Sequence, residues 1–232
     1  MNTVSPLPRH RLDRSRHAAP QVFERLRAQI ISMDLAPGVA LSRAQLAEAF
    51  GLSQTPIRDA LMRLAEEGLV DVFPQHATVV RPIDLSLARQ AHFLRLAVEL
   101  EIVATLAAAP DRVLTATLDG AISKQAALAA SGDYSAFVSA DQAFHLMLYQ
   151  AAKVPDLYEL VRRQSGHLDR LRHLHLPLAG KVDKVLDDHR AIVAAIAASD
   201  GNAAQAALRA HLSGTLHQLD EIRAHYPHYL VD

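Results

Sequence analysis

The chain has 232 residues, 50% of them hydrophobic but only 5% aromatic, with 24 Lys and Arg against 25 Asp and Glu and no cysteine. That composition excludes a disulfide scaffold and thiolate chemistry, and no apolar run approaches the ~20 residues needed to span a membrane. The length exceeds one ordinary domain, so two are expected; the N-terminus lacks the apolar core of a signal peptide, so the expected location is the cytoplasm.

Arg9, Arg11, Arg14 and Arg16 make the beginning a basic stretch with little apolar content, expected to be a disordered arm over residues 1–19. Ten arginines face eight acids before residue 84, whereas fourteen cations face seventeen acids after it. The positive excess is thus confined to the N-terminal part. A first domain is expected over 20–83 and a second over 84–228.

From Leu41 to Arg81 the chain reads as two short helices, a tight turn and a two-stranded hairpin, the layout of a winged helix-turn-helix. Ser42 and Gln45 have capping-box spacing, Leu46, Ala49 and Phe50 form one apolar face, and Gly51 can take the left-handed conformation that ends a helix. Ser53 is a good N-cap and Pro56 is tolerated in a first turn. Ile57, Leu61, Leu64 and Ala65 recur at helical spacing, leaving Gln54, Thr55 and Arg58 on or beside the exposed side. Leu69 to Phe73 and Thr78 to Val80 are strand formers on either side of Pro74-Gln75-His76-Ala77, a wing. A helix placed this way in the major groove can grip phosphate or guanine edges with arginine.

From Asp84 onward there is no strand pattern and no Gly-rich phosphate loop. Six amphipathic helices are expected near 86–108, 112–130, 134–151, 156–174, 181–199 and 201–224, broken at Pro110-Asp111, Ser131-Gly132-Asp133, Val154-Pro155, Pro177 to Gly180 and Ser199-Asp200-Gly201. Short connections between them imply an antiparallel bundle. The fold class is therefore mostly α. Asp141 and His145 are four apart and share a helix face, while His189 and His211 come from two later helices. One carboxylate and three imidazoles meeting inside a bundle would suit zinc, nickel or manganese; the same spacings also arise as plain helix-surface pairs. Arg95 either pairs with Glu99 one turn away or faces the bundle cavity, where it could clamp a carboxylate. His92, His167, His173, His175, His217, His225 and His228 read as solvated or capping residues.

The run LSRAQLAEAFGLSQTPIRDALMRLAEEGLV resembles the DNA-binding domain of the GntR family of bacterial transcription regulators. The resemblance extends over 21–82, the turn Leu35-Ala36-Pro37-Gly38 included. It implies operator contacts from Arg43, Thr55, Arg58 and the wing tip at His76; Ser53 and Gln54 complete the candidate set. Gln54 stands where the family usually has arginine, which favours adenine over guanine. His76-Ala77 replaces the usual arginine-glycine of the wing tip.

The pieces FLRLAVELE, DQAFH, DDHRAIVAAI and ALRAHLSGTL resemble the FCD effector domain of the FadR-type branch of that family. The resemblance implies a divalent metal, zinc foremost, held by Asp141, His145, His189 and His211, and a small organic acid effector near Arg95. It also implies a homodimer on a pseudo-palindromic operator, acting as a ligand-responsive regulator, in all expectation a repressor, and not an enzyme. Two other classes compete. A metal-dependent enzyme would need a general base, for which Asp187 and Asp188 are the nearest carboxylates, although they read as compensating a helix start. A ligand-independent architectural protein would bind random DNA as well as its own promoter.

Overall fold

The computed structural model describes residues 12–73, 77–177 and 180–232. The chain forms two compact units, one running up to Leu85 and taking in Tyr226–Asp232, the other comprising Ser86–His225.

The first unit opens with a turn that folds back on helix α1 (Ala18–Ile31). Asp13 N donates to Gln21 Oε1 at 2.8 Å, and Gln21 Nε2 returns bonds to the Asp13, Arg16 and His17 carbonyls. Leu12 packs against the unit's core. The unit therefore starts before the boundary expected at residue 20; residues 1–11 of the expected arm lie outside the described ones. Strand β1 (Ala40–Leu41) leads into α2 (Arg43–Phe50) and α3 (Gln54–Glu66). Ser42 caps α2 through Gln45 N, and Gly51, at φ 64°, ends it in the left-handed region that costs glycine nothing. Ile57, Ala60, Leu61 and Leu64 of α3 pack with Leu26 and Ile30 of α1 and Leu46 and Phe50 of α2. Burying these apolar side chains is what makes an eight-residue helix such as α2 stable, since alone it is too short to persist in water.

Strands β2 (Val70–Val72) and β3 (Thr78–Val80) form the expected hairpin, but the sheet is three-stranded. Strand β1 pairs antiparallel with the other edge of β3, Leu41 opposite Thr78. Two residues carry no readable alternation, so this strand exists only because β3 offers a partner. Strand β4 (Ile83–Asp84) pairs in parallel with β5 (Leu230–Val231), Ile83 opposite Leu230, so the C-terminal segment returns to the first unit.

The second unit is helical: α4 (Leu85–Ala108), α5 (Arg112–Ser131), α6 (Tyr134–Ala151), α7 (Pro155–Gln164), α8 (Gly166–His175), α9 (Lys181–Ala197), α10 (Gly201–Ser213) and α11 (Leu219–His225). Asp111, Asp133 and Asp200 each accept a backbone N–H at the start of α5, α6 and α10, which places three of the breaks where the sequence puts them. α9 packs on α10 and α5, and α5 on α6. Their shared core includes Leu118, Ile122, Phe137, Phe144, Leu148, Ile192 and Leu208.

Two expected helices are each divided. The one over 156–174 breaks at Ser165, whose hydroxyl bonds the Val161 carbonyl beside Gly166, a poor helix former. The one over 201–224 breaks at Gly214, after which a 3₁₀ turn over Leu216–Gln218 leads into α11. The first break lets α8 turn inward, where Gly166 to Leu171, Leu174 and His175 are all buried.

Candidate functional site

Helix α3 buries one stripe and exposes Ser53, Gln54, Thr55 and Arg58 at its leading end. Ser53 occupies the N-cap position, yet its side chain makes no capping bond. Arg58 lies 3.3 Å from the neighbouring Asp59, both well exposed, a contact of little energetic weight that leaves the guanidinium accessible. Arg43 is the first residue of α2 and half-buried. His76 lies outside the described residues. Behind this surface Arg27 Nε meets Glu67 Oε2 at 2.7 Å, tying α1 to the end of α3.

In the second unit α6, α9 and α10 bring Asp141, His145, His189 and His211 together, with one donor atom from each within 4.8 Å of the others, all four buried. His145 Nε2 is 3.2 Å and His189 Nε2 3.3 Å from His211 Nε2, and Asp141 Oδ1 is 3.5 Å from His189 Nε2. Ligands about 2.0–2.1 Å from a tetrahedral zinc stand about 3.3–3.4 Å apart, so the spacing suits such an ion.

The outer nitrogens explain why the inner ones converge. His189 Nδ1 is 2.9 Å from Gln125 Oε1 on α5, His145 Nδ1 2.8 Å from Glu99 Oε2 on α4, and His211 Nδ1 3.7 Å from Asp188 Oδ2 on α9. Each partner atom is an acceptor, and the hydrogen bond to Gln125 favours the Nδ1–H tautomer of His189, which turns its Nε2 lone pair inward. The contacts at His145 and His211 place a carboxylate beside the outer nitrogen without forming a hydrogen bond. Arg172 on α8 binds Asp141 Oδ2, while Asp141 Oδ1, buried among the three rings, has no hydrogen-bond partner among the described residues. Three ring nitrogens and a carboxylate oxygen thus crowd one another at the centre of the cluster. In a dry interior that arrangement is costly unless a cation sits at its centre.

The protonation states agree. Burial holds the His189 imidazole well below its ordinary range, helped by His211, and burial lowers His211 to about 4 against the opposing pull of Asp188. Both rings are therefore neutral at pH 7, the form that binds metal. Burial alone would raise the carboxyls of Asp141 and Glu99. Arg172 and the three histidines hold Asp141 well below the usual carboxylate range, and Arg95 with His145 does the same for Glu99.

Both readings of Arg95 are present at once. Its Nε bonds Glu99 Oε1 at 2.7 Å in a buried pair, and it also lines a cavity beside the donor set, together with Asp141, Arg172, Lys181, His211 and Thr215. The open volume of that cavity is about 20 Å³, so a guest larger than water enters only as lining side chains move apart. Among the histidines read as solvated, His167 and His175 are instead buried and His92 lines the cavity. Arg170 Nη2 contacts His167 Nδ1 at 2.9 Å, and His175 Nδ1 lies 3.3 Å from Thr215 Oγ1. Asp187 and Asp188 sit in the second turn of α9 rather than at its start. Asp187 pairs with Arg190 and Asp188 with Lys184.

Sequence reasoning missed Gln125, Asp188, Arg172 and Lys181 as parts of the site. Gln125 left one trace: it falls on the buried stripe of α5 with Leu118 and Ile122, and a polar residue on such a stripe needs a partner.

A winged helix joined to a helical domain with a buried donor cluster defines a DNA-binding transcription regulator with a separate second domain. Residues 18–80 match the bacterial regulatory proteins of the gntR family, and residues 90–214 match the FCD domain. The chain belongs to the GntR family of transcription regulators, in the branch that carries an FCD domain. It is 35% identical over 206 residues, 89% of this chain and 86% of the other, to an uncharacterized HTH-type transcriptional regulator from an unstable DNA locus of Streptomyces ambofaciens. It is 26% identical to the HTH-type transcriptional repressor RspR of Escherichia coli K12, covering 88% of this chain and 89% of that one. Among solved structures, E. coli McbR/YncC superposes with a TM-score of 0.76 at 22% identity, over 89% of this chain and 98% of the other. A GntR regulator from Rhodococcus sp. RHA1 gives 0.71 at 23% identity, over 88% and 97%. These relatives are transcription regulators, not enzymes. Among the described residues, no helix is long and apolar enough to cross a membrane.

Proposed function

We propose that the protein is a metal-containing, effector-responsive repressor that acts in the cytoplasm as a homodimer on a pseudo-palindromic operator. DNA reading is assigned to 20–83, through Arg43, Ser53, Gln54, Thr55, Arg58 and His76, and sensing to 84–228. The observation that carries the sensing half is the convergence of Asp141, His145, His189 and His211 in the interior, with His189 held by Gln125 and Asp141 by Arg172, and with Glu99 and Asp188 beside the outer nitrogens of the other two. A divalent ion bound there, zinc foremost with nickel or manganese as alternatives, would supply a Lewis-acidic seat for an effector carboxylate. Repression is favoured as the polarity because the relative RspR is named a repressor.

The protein's own residues supply the rest. Arg95 and Arg172 border the cavity as fixed, always-charged forks suited to a small organic acid. Arg172 also holds Asp141, so an acid that competes for Arg172 perturbs α8 and α6 together. Such an acid shifts DNA affinity only by its difference in affinity for the two arrangements of the dimer.

Two measurements on the full-length protein test this reading. Metal content after zinc loading and dialysis is expected near one ion per chain in the wild type and near none in His189→Ala. Fluorescence anisotropy with promoter DNA is expected to show tight binding that weakens when organic acids are added to the zinc-loaded protein only. A wild type that retains no metal refutes the sensing half. Equal affinity for promoter and random DNA refutes operator recognition.

A further inference from the structure

Three permanent or near-permanent cations, Arg95, Arg172 and Lys181, line the cavity beside the donor set. Arg95 is engaged by Glu99, Arg172 by Asp141 and, at 3.8 Å, by Asp169; Lys184, one turn beyond Lys181, is engaged by Asp188. Of the three lining cations Lys181 alone makes no ion pair with a carboxylate among the described residues, although Asp188 and Asp141 lie near enough to favour its charge; its side chain is half-buried and lines the cavity. It is also placed against the local field. As the first residue of α9 it sits at the positive end of a 17-residue helix. Burial, with Arg172 and Lys184 adding to it and Asp188 and Asp141 opposing, lowers its ammonium to about 8.

The backbone makes room for it. A Cβ added at Gly214 would lie 2.9 Å from Lys181 Nζ, so any other residue at the end of α10 would displace the ammonium. Gly214 adopts an ordinary right-handed conformation, φ −57°, which every residue tolerates. A side chain there would therefore press on the flexible end of Lys181, which can shift, and not on the backbone. Thr215, next to it, adds a hydroxyl to the same cavity wall.

We infer that Lys181 is the specificity-determining residue for an effector carrying two acidic groups, receiving the group that lies away from the donor set. This rests on the effector reading above and narrows it to small dicarboxylates. A monocarboxylate would leave Lys181 unpaired, whereas a dianion neutralises it without disturbing the Arg95–Glu99 pair. Arg172 and Lys181 both line the cavity, and the second acid group enters by displacing the flexible Lys181 side chain and not the backbone.

The test is calorimetric titration of zinc-loaded full-length protein with malonate, succinate and glutarate, each beside the monocarboxylate of equal carbon number. Wild type, Lys181→Met and Lys181→Arg are compared, with zinc affinity and thermal unfolding measured for each. One dicarboxylate is expected to bind the wild type about tenfold or more tightly than its monocarboxylate partner. Lys181→Met is expected to reduce that ratio to about one while monocarboxylate and zinc affinities stay unchanged, and Lys181→Arg to keep most of it. An unchanged ratio in Lys181→Met, or no preference in the wild type, overturns the assignment and leaves the effector reading standing. If no carboxylate binds zinc-loaded wild type, both fall.

Discussion

Replacing Gln125 by leucine isolates the support of one histidine from the donor itself. Gln125 is fully buried, and its Oε1 is the acceptor 2.9 Å from His189 Nδ1. Leucine of similar volume removes that acceptor and also the amide nitrogen Nε2, which is buried without a partner. The fold therefore loses one hydrogen bond and sheds one unsatisfied donor. The net effect on metal-free stability is expected within about 1 kcal/mol. Metal affinity should respond differently. Without the Gln125 acceptor His189 can take the other tautomer, directing a proton from Nε2 into the cluster. Loss of such an outer partner costs about 10–100-fold in metal affinity, or roughly 1.4–2.7 kcal/mol. Competition for zinc against a chromophoric chelator at pH 7.5 reads this directly, and nitrogen-15 NMR of the imidazoles reports the tautomer. Gln125→Glu keeps an acceptor and should retain wild-type affinity. Leucine and wild-type proteins binding zinc within a factor of about two of each other would refute the claim that outer partners orient the donors.

Other consequences lie elsewhere in the molecule. His175 is buried and lowered to about 4, first by burial and then by Lys181. The unfolded chain therefore takes up a proton that the folded one refuses between pH 6.5 and 4, and stability falls as pH drops through that window. The total is at most about 3 kcal/mol, and His175→Gln should flatten that part of the denaturation profile measured by urea unfolding across pH. Arg27→Ala strands the Glu67 carboxylate in a partly buried setting and should destabilise the protein by about 1.5–3 kcal/mol, with the Arg27→Met/Glu67→Leu pair recovering most of it in the same assay. Arg58→Ala should weaken promoter binding by about 1–3 kcal/mol if it reads a base edge; if it grips phosphate instead, the loss should be equal on random DNA and the salt slope should fall by about one.

The sequence by itself determined both kinds of architecture and, through its resemblance to the FCD domain, singled out four residues that the structure brings together. Ser42, Gly51, Leu46, Ile57 and Leu61 specify α2, the turn and α3 through caps and spacing confined to a few residues, and Asp111, Asp133 and Asp200 do the same for the starts of α5, α6 and α10. Such interactions are local, so they can be read along the chain. Asp141 with His145 was legible for the same reason, and the motifs around His189 and His211 completed the set. Only the tertiary structure decided which neighbours aim those donors and fill the cavity. Gln125 meets His189 across 64 residues, Glu99 lies beside His145 from another helix, and Arg172 reaches Asp141 across 31. The two-residue strands β1 and β5 exist only through their partners, and the role of Gly214 appears only where Lys181 passes it. Contacts between distant segments depend on helix rotation and on where α8 turns inward. Neither is encoded in spacing, because a polar residue on a buried stripe announces that it needs a partner without saying which one.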